Sequence, residues 1–325
     1  MKCSRREFGR LVLATIPAGY AARAGVQTAA QTAVRPDSVV RGVAIGMNLP
    51  YNFGGRNAPI DDIINNCVAL GISVLELRTQ PIETFLGAPD RLMPISQPRR
   101  AGGATPEQLA RAEAAAIAVK PELDQWRLGV SLDRLADLRR RFEAAGIAVP
   151  IVRVDGMLDM SDGVVDYQFR LAKACGARAI STEIAESDPE RLGKFADKHQ
   201  LFVAYHGEAE TSVTDFERAF SRARFNGANL DLGHFVAGQN TSPVPFITKY
   251  HDRITHVHVK DRKLNNGPNV PFGQGDTPIA EVLRLIRDNK WNIQAIIEFE
   301  YPVPPGSDRM TELKKTVEYC RSVLA

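Results

Sequence analysis

The chain is poor in cysteine and in aromatic residues, and it has no long hydrophobic run. Its 325 residues include four cysteines, none of which forms a CxxC pair or a close cluster, and this excludes a thiolate zinc site and a disulfide-based scaffold. Aromatic residues make up 7% of the chain, whereas 44% of the residues are hydrophobic and 24% are charged. This balance is typical of a globular protein and excludes fibrous, disordered and membrane-embedded classes. We expect the cysteines to be single buried thiols.

The first segment differs from the rest of the chain. Residues 4–10 read Ser-Arg-Arg-Glu-Phe-Gly-Arg, and they are followed by a short apolar run over residues 11–16 and a small-residue region that ends in Ala-Arg-Ala at residue 24. A twin-arginine stretch followed by these two features predicts an export signal, and the apolar run is too short to span a bilayer. We assign residues 1–30 to this signal. We therefore expect a periplasmic or otherwise exported protein without a membrane segment after signal removal.

The formal net charge of +3 comes from the same segment. Residues 1–24 hold five basic residues and one acidic residue, so the remainder of the chain is close to neutral. Nucleic-acid binding needs a surplus of Lys and Arg on one surface. Outside the signal, the tight basic clusters are Arg99–Arg100 and Arg139–Arg141. We therefore expect no nucleic-acid partner.

From about residue 40 onward, short apolar, β-branched runs alternate with longer helical patterns. This alternation is typical of βαβ units and a parallel sheet, and Gly71, Gly146 and Gly176 stand where a helix should end before the next strand. The predicted fold class is α/β, a single-domain (β/α)8 TIM barrel over residues 40–325. The predicted strands are 43–48, 73–78, 149–154, 178–183, 201–206, 228–232, 254–260 and 293–298. The predicted helices are 60–70, 131–145, 163–175, 188–199, 213–225, 243–252, 277–290 and 310–324.

One long interruption separates the second predicted strand from its helix. Residues 80–128 are rich in Pro, Gly, Arg and Ala, and a helix is predicted within them over residues 105–118. A loop of this length inside a compact domain is usually a lid or a binding element. In a barrel it would rise from the C-terminal face of the strands, where active sites are built. We therefore expect this insertion to act as a lid.

Histidines and carboxylates accumulate at the predicted strand ends. The alternation in the seventh strand places His256, His258 and Lys260 on one strand face, and inward-facing polar residues in a barrel need partners. Mixed imidazole and carboxylate ligands suit Mn²⁺, Co²⁺, Zn²⁺, Fe²⁺ or Mg²⁺, so we expect one divalent metal ion at the barrel mouth. The strand-end histidines are His206, His234, His256 and His258, and the carboxylates in equivalent places are Glu76, Asp155, Glu183, Glu208, Asp231, Asp261, Glu298 and Glu300.

Five motifs occur in order in the C-terminal half of the chain. They are AYHGE at residues 204–208, LDLGH at 230–234, HVHVKD at 256–261, GQGD at 273–276 and IEFEY at 297–301. In this combination, and over about residues 40–325, the chain resembles the sugar phosphate isomerase/epimerase family, the xylose isomerase-like TIM barrels.

The resemblance implies one divalent metal ion at the barrel mouth. Its ligands would be Asp231, His258, Glu298 and an acidic residue from strand four or five. The fourth ligand stays open between Glu183 and His206, because His206 occupies the place where many family members carry a ligand Glu.

The resemblance also implies an activity. We expect an isomerase or epimerase that acts on a sugar or keto sugar by proton transfer through a metal-stabilised enediolate. The candidate catalytic residues are Glu298, Glu183 and Glu208. The candidate substrate-binding residues are His234, Lys260, Arg153, Gln274 and His256, and Glu76 is interpreted as structural.

Two other functions remain open for the same site. A metal-dependent lyase or hydratase would enolise a keto sugar or glycoside and then expel a β-oxygen leaving group. Export favours this alternative, because free sugars and glycosides are more available outside the cytoplasm than sugar phosphates. A non-catalytic periplasmic sugar-binding protein is the second alternative, although it would not need three ligands around one ion. In every case the expected partner is a small carbohydrate, and a homo-oligomer is compatible with the sequence.

Overall fold

Eight parallel strands form a closed barrel in the computed structural model, which describes residues 35–93 and 105–325. The strands are β1 (Val39–Val40), β2 (Val43–Leu49), β3 (Val74–Arg78), β4 (Ala148–Arg153), β5 (Ala179–Glu183), β6 (Phe202–His206), β7 (Asn226–Asp231), β8 (Ile254–Val259) and β9 (Gln294–Ile297). The barrel closes because β2 pairs in parallel with both β3 and β9, while β1 adds an antiparallel pairing to β2. The predicted (β/α)8 barrel and its eight strands are confirmed.

Helices surround the barrel. They are α1 (Ile60–Leu70), α2 (Thr79–Leu86), α3 (Pro106–Gly129), α4 (Leu135–Ala144), α5 (Asp162–Ala174), α6 (Pro189–His199), α7 (Val213–Phe220), α8 (Leu232–Gln239), α9 (Val244–Tyr250), α10 (Ile279–Asn289) and α11 (Arg309–Leu324). Each of the eight predicted helices is present. Gly71, Gly146 and Gly176 have positive φ angles at the ends of α1, α4 and α5, as the turn pattern predicts. The sequence patterns missed α2 and α8, and α7 ends at Phe220 rather than at residue 225.

The insertion differs from its prediction at both ends. Residues 80–86 belong to α2, which follows β3 directly and buries Ile82, Glu83 and Leu86, so the insertion begins only after this helix. Its helix, α3, runs to Gly129 and passes through Pro121, although proline usually ends a helix. The buried side chain of Arg127 in α3 pairs with the fully buried carboxylate of Glu83 in α2. This ion pair attaches the distal end of the insertion to the barrel.

Two predicted segments lie wholly or partly outside the described residues. The predicted signal, residues 1–30, lies outside them, and so do residues 94–104 of the insertion.

Cys67, Cys175 and Cys320 are buried free thiols, as expected, and burial raises the pKa of each. Among the described residues, every helix is too short or too polar to cross a bilayer.

The barrel interior is layered from apolar to polar along its axis. A small apolar cluster of Val74, Ile151 and Ile296 fills the N-terminal end of the barrel, and the main apolar core lies between the strands and the helices. Because inward-facing residues alternate along each strand, the next inward residue of β3 after Val74 is Glu76, and the next on β9 after Ile296 is Glu298. The polar residues of the strands therefore gather at the C-terminal end of the barrel.

Candidate metal centre

Three buried ligand atoms from three neighbouring strands face one another at the barrel mouth. They are His206 Nε2, Asp231 Oδ2 and His258 Nδ1, and none of them makes a hydrogen bond among the described residues. Asp231 Oδ2 lies 3.5 Å from His206 Nε2 and 3.8 Å from His258 Nδ1. Glu298 directly follows β9, the next strand of the barrel, and its Oε2 lies 3.2 Å from His258 Nδ1. One ligand atom from each of His206, Asp231, Glu298 and His234 lies within 4.8 Å of the others, and His258 Nδ1 lies beside Asp231 and Glu298. Donor atoms of the kinds that bind divalent metals therefore gather at one place.

Each of the two ligand histidines is oriented by a carboxylate. Glu76 Oε2 lies 2.5 Å from His258 Nε2, and Glu183 Oε2 lies 2.8 Å from His206 Nδ1. In each ring the nitrogen beside the carboxylate donates the hydrogen bond, so the opposite nitrogen faces the site. A carboxylate that holds a metal-ligating histidine in this way is a common feature of metal sites.

The two ligand carboxylates are oriented as well. Asp231 ends β7 and is the N-cap of α8, where its Oδ1 accepts a hydrogen bond from the His234 backbone N–H at 2.8 Å. Glu298 Oε1 accepts a hydrogen bond from Asn48 Nδ2 at 2.9 Å. In both carboxylates, one oxygen is engaged by the protein and the other points to the cluster. The four ligand atoms are therefore held in place before any ligand binds.

Lys260 is a buried cation beside these ligands. Its Nζ lies 3.0 Å from Asp231 Oδ2 and 2.8 Å from Glu298 Oε2 and from Glu300 Oε2. Its stem passes over Gly233, where a Cβ atom would lie 2.9 Å from Lys260 Cγ, so a side chain at position 233 would displace it. One ammonium group faces three carboxylates, and this leaves an excess of negative charge that a divalent cation would neutralise.

Opposing effects set the pKa of each ligand histidine. Burial disfavours the charged ring of His206, but the carboxylates of Glu183 and Asp231 outweigh burial and hold its pKa well above the usual value. Burial also opposes protonation of His258, yet Glu76 and Glu298 raise its pKa to about 9. Both rings therefore lie in surroundings that favour a bound positive charge, either a proton or a metal ion.

A cavity of about 310 Å³ opens above the ligands. One wall is formed by His206, Glu208, His234, Lys260 and Glu298. The opposite wall carries three arginines around one carboxylate: Asp155 lies 2.6 Å from Arg78, 3.3 Å from Arg153 and 3.8 Å from Arg56. The volume is at the small end of the range for ligand pockets, roughly 300 to 1,000 Å³, and the polar lining suits a ligand rich in oxygen.

His234 is a neutral imidazole at the edge of this cavity. Arg262 Nη1 lies 2.7 Å from its Nδ1 and Lys260 Nζ lies 2.8 Å from its Nε2, so each ring nitrogen faces a group that can only donate. Glu208 Oε2 lies 3.0 Å from His234 Nε2. Burial and the Lys260 cation lower the pKa of His234 to about 4, whereas burial raises the pKa of Glu208. The pair therefore provides a ring that stays neutral and a carboxyl group that holds its proton more readily than usual.

The structure separates the two candidates for the fourth ligand. His206 Nε2 points into the cluster, whereas both oxygens of Glu183 are engaged, one by Arg153 and the other by His206. Burial raises the pKa of Glu183, but Arg153 and His206 outweigh it and lower the pKa to about 2. Glu183 lines the cavity but both of its oxygens are engaged, so its geometry matches a residue that orients His206.

Two of the predicted substrate-binding residues lie elsewhere. Gln274 lines a separate cavity with Phe272 and Tyr319, because its turn leans towards α11 rather than over the mouth. His256 is fully buried, one inward position below His258, with its Nε2 3.8 Å from Glu76 Oε1. Neither residue lines the mouth cavity, whereas the other three, His234, Lys260 and Arg153, do.

The sequence did not predict that three further residues contribute to the site: Glu76, Asn48 and Arg78. Glu76 and Arg78 lie on one face of an otherwise apolar strand, Val74–Arg78, and such charged residues in a buried strand are a signal of an internal polar site. Asn48 had no comparable signal. Its role depends on a contact with Glu298, which is 250 positions away in the sequence.

The donor set fits a divalent metal ion. The separations of 3.2 to 3.8 Å between ligand atoms are compatible with bonds of roughly 2.0 to 2.2 Å to one central ion. The three buried atoms without hydrogen bonds would otherwise cost free energy. His206, Asp231, His258 and Glu298 are thus the residues that would hold such an ion.

Sequence and structure comparisons agree with this fold. Residues 190–323 match the model of the family described as xylose isomerase-like TIM barrel. A curated inosose dehydratase from Clostridium botulinum is 27% identical over 133 residues, which cover 34% of this chain and 44% of that protein. The chain thus matches less than half the length of this curated relative.

Solved structures extend the similarity to most of the chain. A xylose isomerase domain protein from Alicyclobacillus acidocaldarius has a TM-score of 0.58 at 12% identity, and the match covers 87% of this chain and 99% of that protein. A D-psicose 3-epimerase from Clostridium cellulolyticum H10, solved with D-tagatose, has a TM-score of 0.54 at 12% identity with the same coverage. The match to the xylose isomerase-like family is thus limited to residues 190–323, and the solved structures show the same TIM-barrel fold over most of the chain.

Proposed function

We propose that this protein is a divalent-metal-dependent enzyme that moves a proton at a carbon next to the carbonyl group of a sugar or keto sugar, in an isomerisation or epimerisation. The observation that carries the proposal is the cluster of His206 Nε2, His258 Nδ1 and Asp231 Oδ2 beside Glu298, in which both ring nitrogens are buried without a hydrogen bond and Asp231 Oδ2 faces Lys260. Two members of this cluster, His206 and Glu298, line a small cavity with a polar lining. A binding protein would not need such a preorganised set of metal ligands.

The metal ion, when bound, would polarise neighbouring substrate oxygens and stabilise the negative charge that develops as the proton leaves. Glu298 is the proposed base, since burial opposes its ionisation but Lys260 and His258 hold its pKa well below the usual value. Glu208 is the proposed acid, because its pKa is raised. Two carboxyl groups with pKa values shifted in opposite directions are typical of acid–base pairs. Lys260, with His234 beside it, would orient substrate oxygens, and Arg153 would do so from the opposite wall.

A second candidate is a lyase or dehydratase that uses the same first step and then expels a β-oxygen substituent. Two observations favour it. The curated relative is named an inosose dehydratase, and the engaged Glu183 leaves the mouth without a second free carboxylate opposite Glu298. Epimerisation needs proton transfer on both faces of the carbon, whereas elimination needs one base and one acid. Glu208 would then protonate the leaving oxygen.

The first experiment measures bound metal by mass spectrometry on the purified protein, beside Asp231→Asn, His258→Gln and the control Gln274→Ala. We expect about one equivalent of a divalent metal in the wild type and in the control, and none in the other two variants. Asp231→Asn keeps the N-cap and the volume, so its loss of metal would reflect the lost charge. If the supplemented wild type holds no metal, or if the two site variants retain it, the metalloenzyme proposal is wrong.

The loaded protein is then incubated with keto sugars and glycosides in deuterium oxide and followed by NMR. Deuterium incorporated next to the carbonyl with a changed stereocentre or carbonyl position supports the isomerase or epimerase. Loss of water or of an alcohol supports the lyase. Carbohydrate binding with no exchange at any substrate would support the binding protein instead.

We also propose that the twin-arginine motif exports the folded protein. A double variant, Arg5→Lys with Arg6→Lys, keeps the positive charge and removes the twin-arginine motif. We expect the variant to accumulate in the cytoplasm, as measured by fractionation, while the wild type reaches the periplasm. Equal export of both would contradict the proposal.

A further inference from the structure

A second and larger cavity adjoins the mouth cavity. It measures about 860 Å³ and lies between α3, the 3₁₀ turn Asp90–Leu92 and the loops that follow the first three barrel strands. Arg56 and Asp155 line both cavities. The two cavities therefore meet at these residues, and the larger one is called the α3 groove below.

The α3 groove is mainly apolar. The helix presents one face to it, with lining residues at spacings of three and four positions that include three alanines. The opposite side combines the apolar side chains of Leu92, Met93 and Met160 with charged residues at the rim, Arg56, Arg91, Asp155 and Asp159, and Ile117 at the edge is 66% exposed. The lining residues that carry the apolar character are Leu92, Met93, Ala112, Ala116, Leu123 and Met160.

One polar atom in this lining lacks a partner. Gln80 Oε1 is buried and makes no hydrogen bond among the described residues, and Gln80 lines the α3 groove. A buried acceptor without a donor costs free energy, so a ligand hydroxyl that donates to it would stabilise the complex. The groove therefore matches a group that is mostly apolar and carries at least one hydroxyl.

A free monosaccharide does not match this description, because every part of it is polar. A sugar in the mouth cavity would also fill most of its 310 Å³ and leave the larger groove to whatever is attached to the sugar. Methionine side chains such as Met93 and Met160 make favourable contacts with aromatic rings. The arginine at the junction, Arg56, is 41% exposed at its side chain and is suited to stack on an aromatic face.

We propose that the α3 groove binds the aglycone of a glycoside substrate, and that this aglycone is a phenolic ring system. The inference rests on the proposed function, because it assigns the sugar to the mouth cavity, and it names the substrate class of that site. It also assigns the insertion a role in specificity. The glycosidic oxygen would lie near the junction of the two cavities, between Asp155 and the metal ligands.

The test compares methyl and 4-hydroxyphenyl β-glycosides of glucose, galactose and glucuronic acid by titration calorimetry. We expect the aryl glycoside to bind at least about tenfold more tightly than the methyl glycoside in one or more of the three series. Ala112→Trp fills the groove and should abolish this preference without changing the affinity for the methyl glycoside. Ala118→Trp is the matched control, since Ala118 lies on the same helix, is exposed and does not line the groove.

Three outcomes would overturn the inference. They are equal affinity for aryl and methyl glycosides in all three series, equal effects of Ala112→Trp and Ala118→Trp, and binding of free hydroquinone as tight as that of the aryl glycoside. Thermal melting and metal content of both variants are measured in parallel. If the protein binds no metal but the aryl preference depends on Ala112, the groove assignment stands and only the proposed function fails.

Discussion

The two halves of the barrel contribute to the mouth in different ways. The C-terminal half, β6 to β9 with the residue after β9, supplies all four proposed ligands, His206, Asp231, His258 and Glu298, and the family model matches this half. The N-terminal half, β2 to β5 with the insertion, supplies groups that orient these ligands and forms the α3 groove. The proposed metal site and the proposed substrate-selecting α3 groove thus lie in separate parts of one barrel.

The comparison shows that neither half is sufficient for the site. Glu76 reaches across the barrel to His258 over 182 positions in the sequence, and Asn48 reaches Glu298 over 250 positions. A closed barrel brings such residues together because its strand ends converge on one axis. The halves can therefore be separated by mutation: one group of changes should affect metal binding, and another should affect only the insertion.

The largest effect is expected for Arg127→Met, which tests the insertion. The change removes the partner of Glu83 and leaves a fully buried carboxylate unpaired, at a cost of about 3 to 5 kcal/mol of unfolding free energy. Chemical denaturation measures this loss. Metal affinity should be unchanged, and the double variant Glu83→Gln with Arg127→Met should recover most of the stability. A fall in metal affinity with Arg127→Met would show that the two halves are coupled.

The next effect is expected for Glu76→Gln, which tests the link between the halves. The amide keeps the volume but loses the charge that orients His258, so metal affinity should fall by about 10- to 100-fold. Competition with a chelator measures the affinity. Glu312→Gln is the control. Glu312 lies on the outer helix α11 and is also buried, but its hydrogen-bond partners are Tyr301, Ser307 and Lys315, which are not part of the metal site. Equal affinities of the two variants would refute the orienting role of Glu76.

A smaller effect is expected for Asn48→Leu. The substitution removes one hydrogen bond to the Glu298 carboxylate while it keeps the approximate volume, and a hydrogen bond to a charged group contributes about 1.5 kcal/mol. Metal affinity should therefore fall by about tenfold at most. If the affinity is unaffected, Lys260 alone is sufficient to orient Glu298.

The smallest effect is expected on the outer surface. There, Asp166 of α5 contacts Lys198 and His199 of α6. This contact joins the two halves. Burial slightly opposes ionisation of Asp166, but hydrogen bonds from Lys198, His199 and Arg170 outweigh it and lower its pKa to about 2. Because the pKa is lower in the folded state than the value near 4 of the unfolded chain, the contact stabilises the protein above about pH 4. This contribution is lost as the pH falls towards 2.

Asp166→Asn should accordingly cost about 1 kcal/mol at pH 7, with a difference from the wild type that shrinks as the pH is lowered below 4. Denaturation curves at several pH values measure it. A difference that is constant from pH 7 to pH 3 would show that the charge of Asp166 does not matter. Metal affinity should be the same in both proteins, since this contact is remote from the mouth.

Local patterns predicted much of this molecule. The alternation of strand-like and helix-like segments predicted every barrel strand, because the period of two and the period of 3.6 are set by the backbone and appear directly in the order of apolar residues. The same patterns missed α8, because Asp231 is both the last residue of a strand and the N-cap of the next helix. They also ended the insertion helix before Pro121, because the ion pair that holds its distal part joins two residues 44 positions apart.

For the site, the sequence by itself determined which side chains of the C-terminal half face the barrel interior, since one strand and its alternation decide this locally. His206, Asp231, His258 and Glu298 were predicted as ligands in this way together with the family resemblance. Only the tertiary structure showed that Glu183 contacts Arg153 and His206, placed Gln274 and His256 outside the cavity, and gave Glu76 and Asn48 their contacts. These contacts depend on which strand ends lie opposite one another, and barrel closure, which no local segment encodes, is what brings them together.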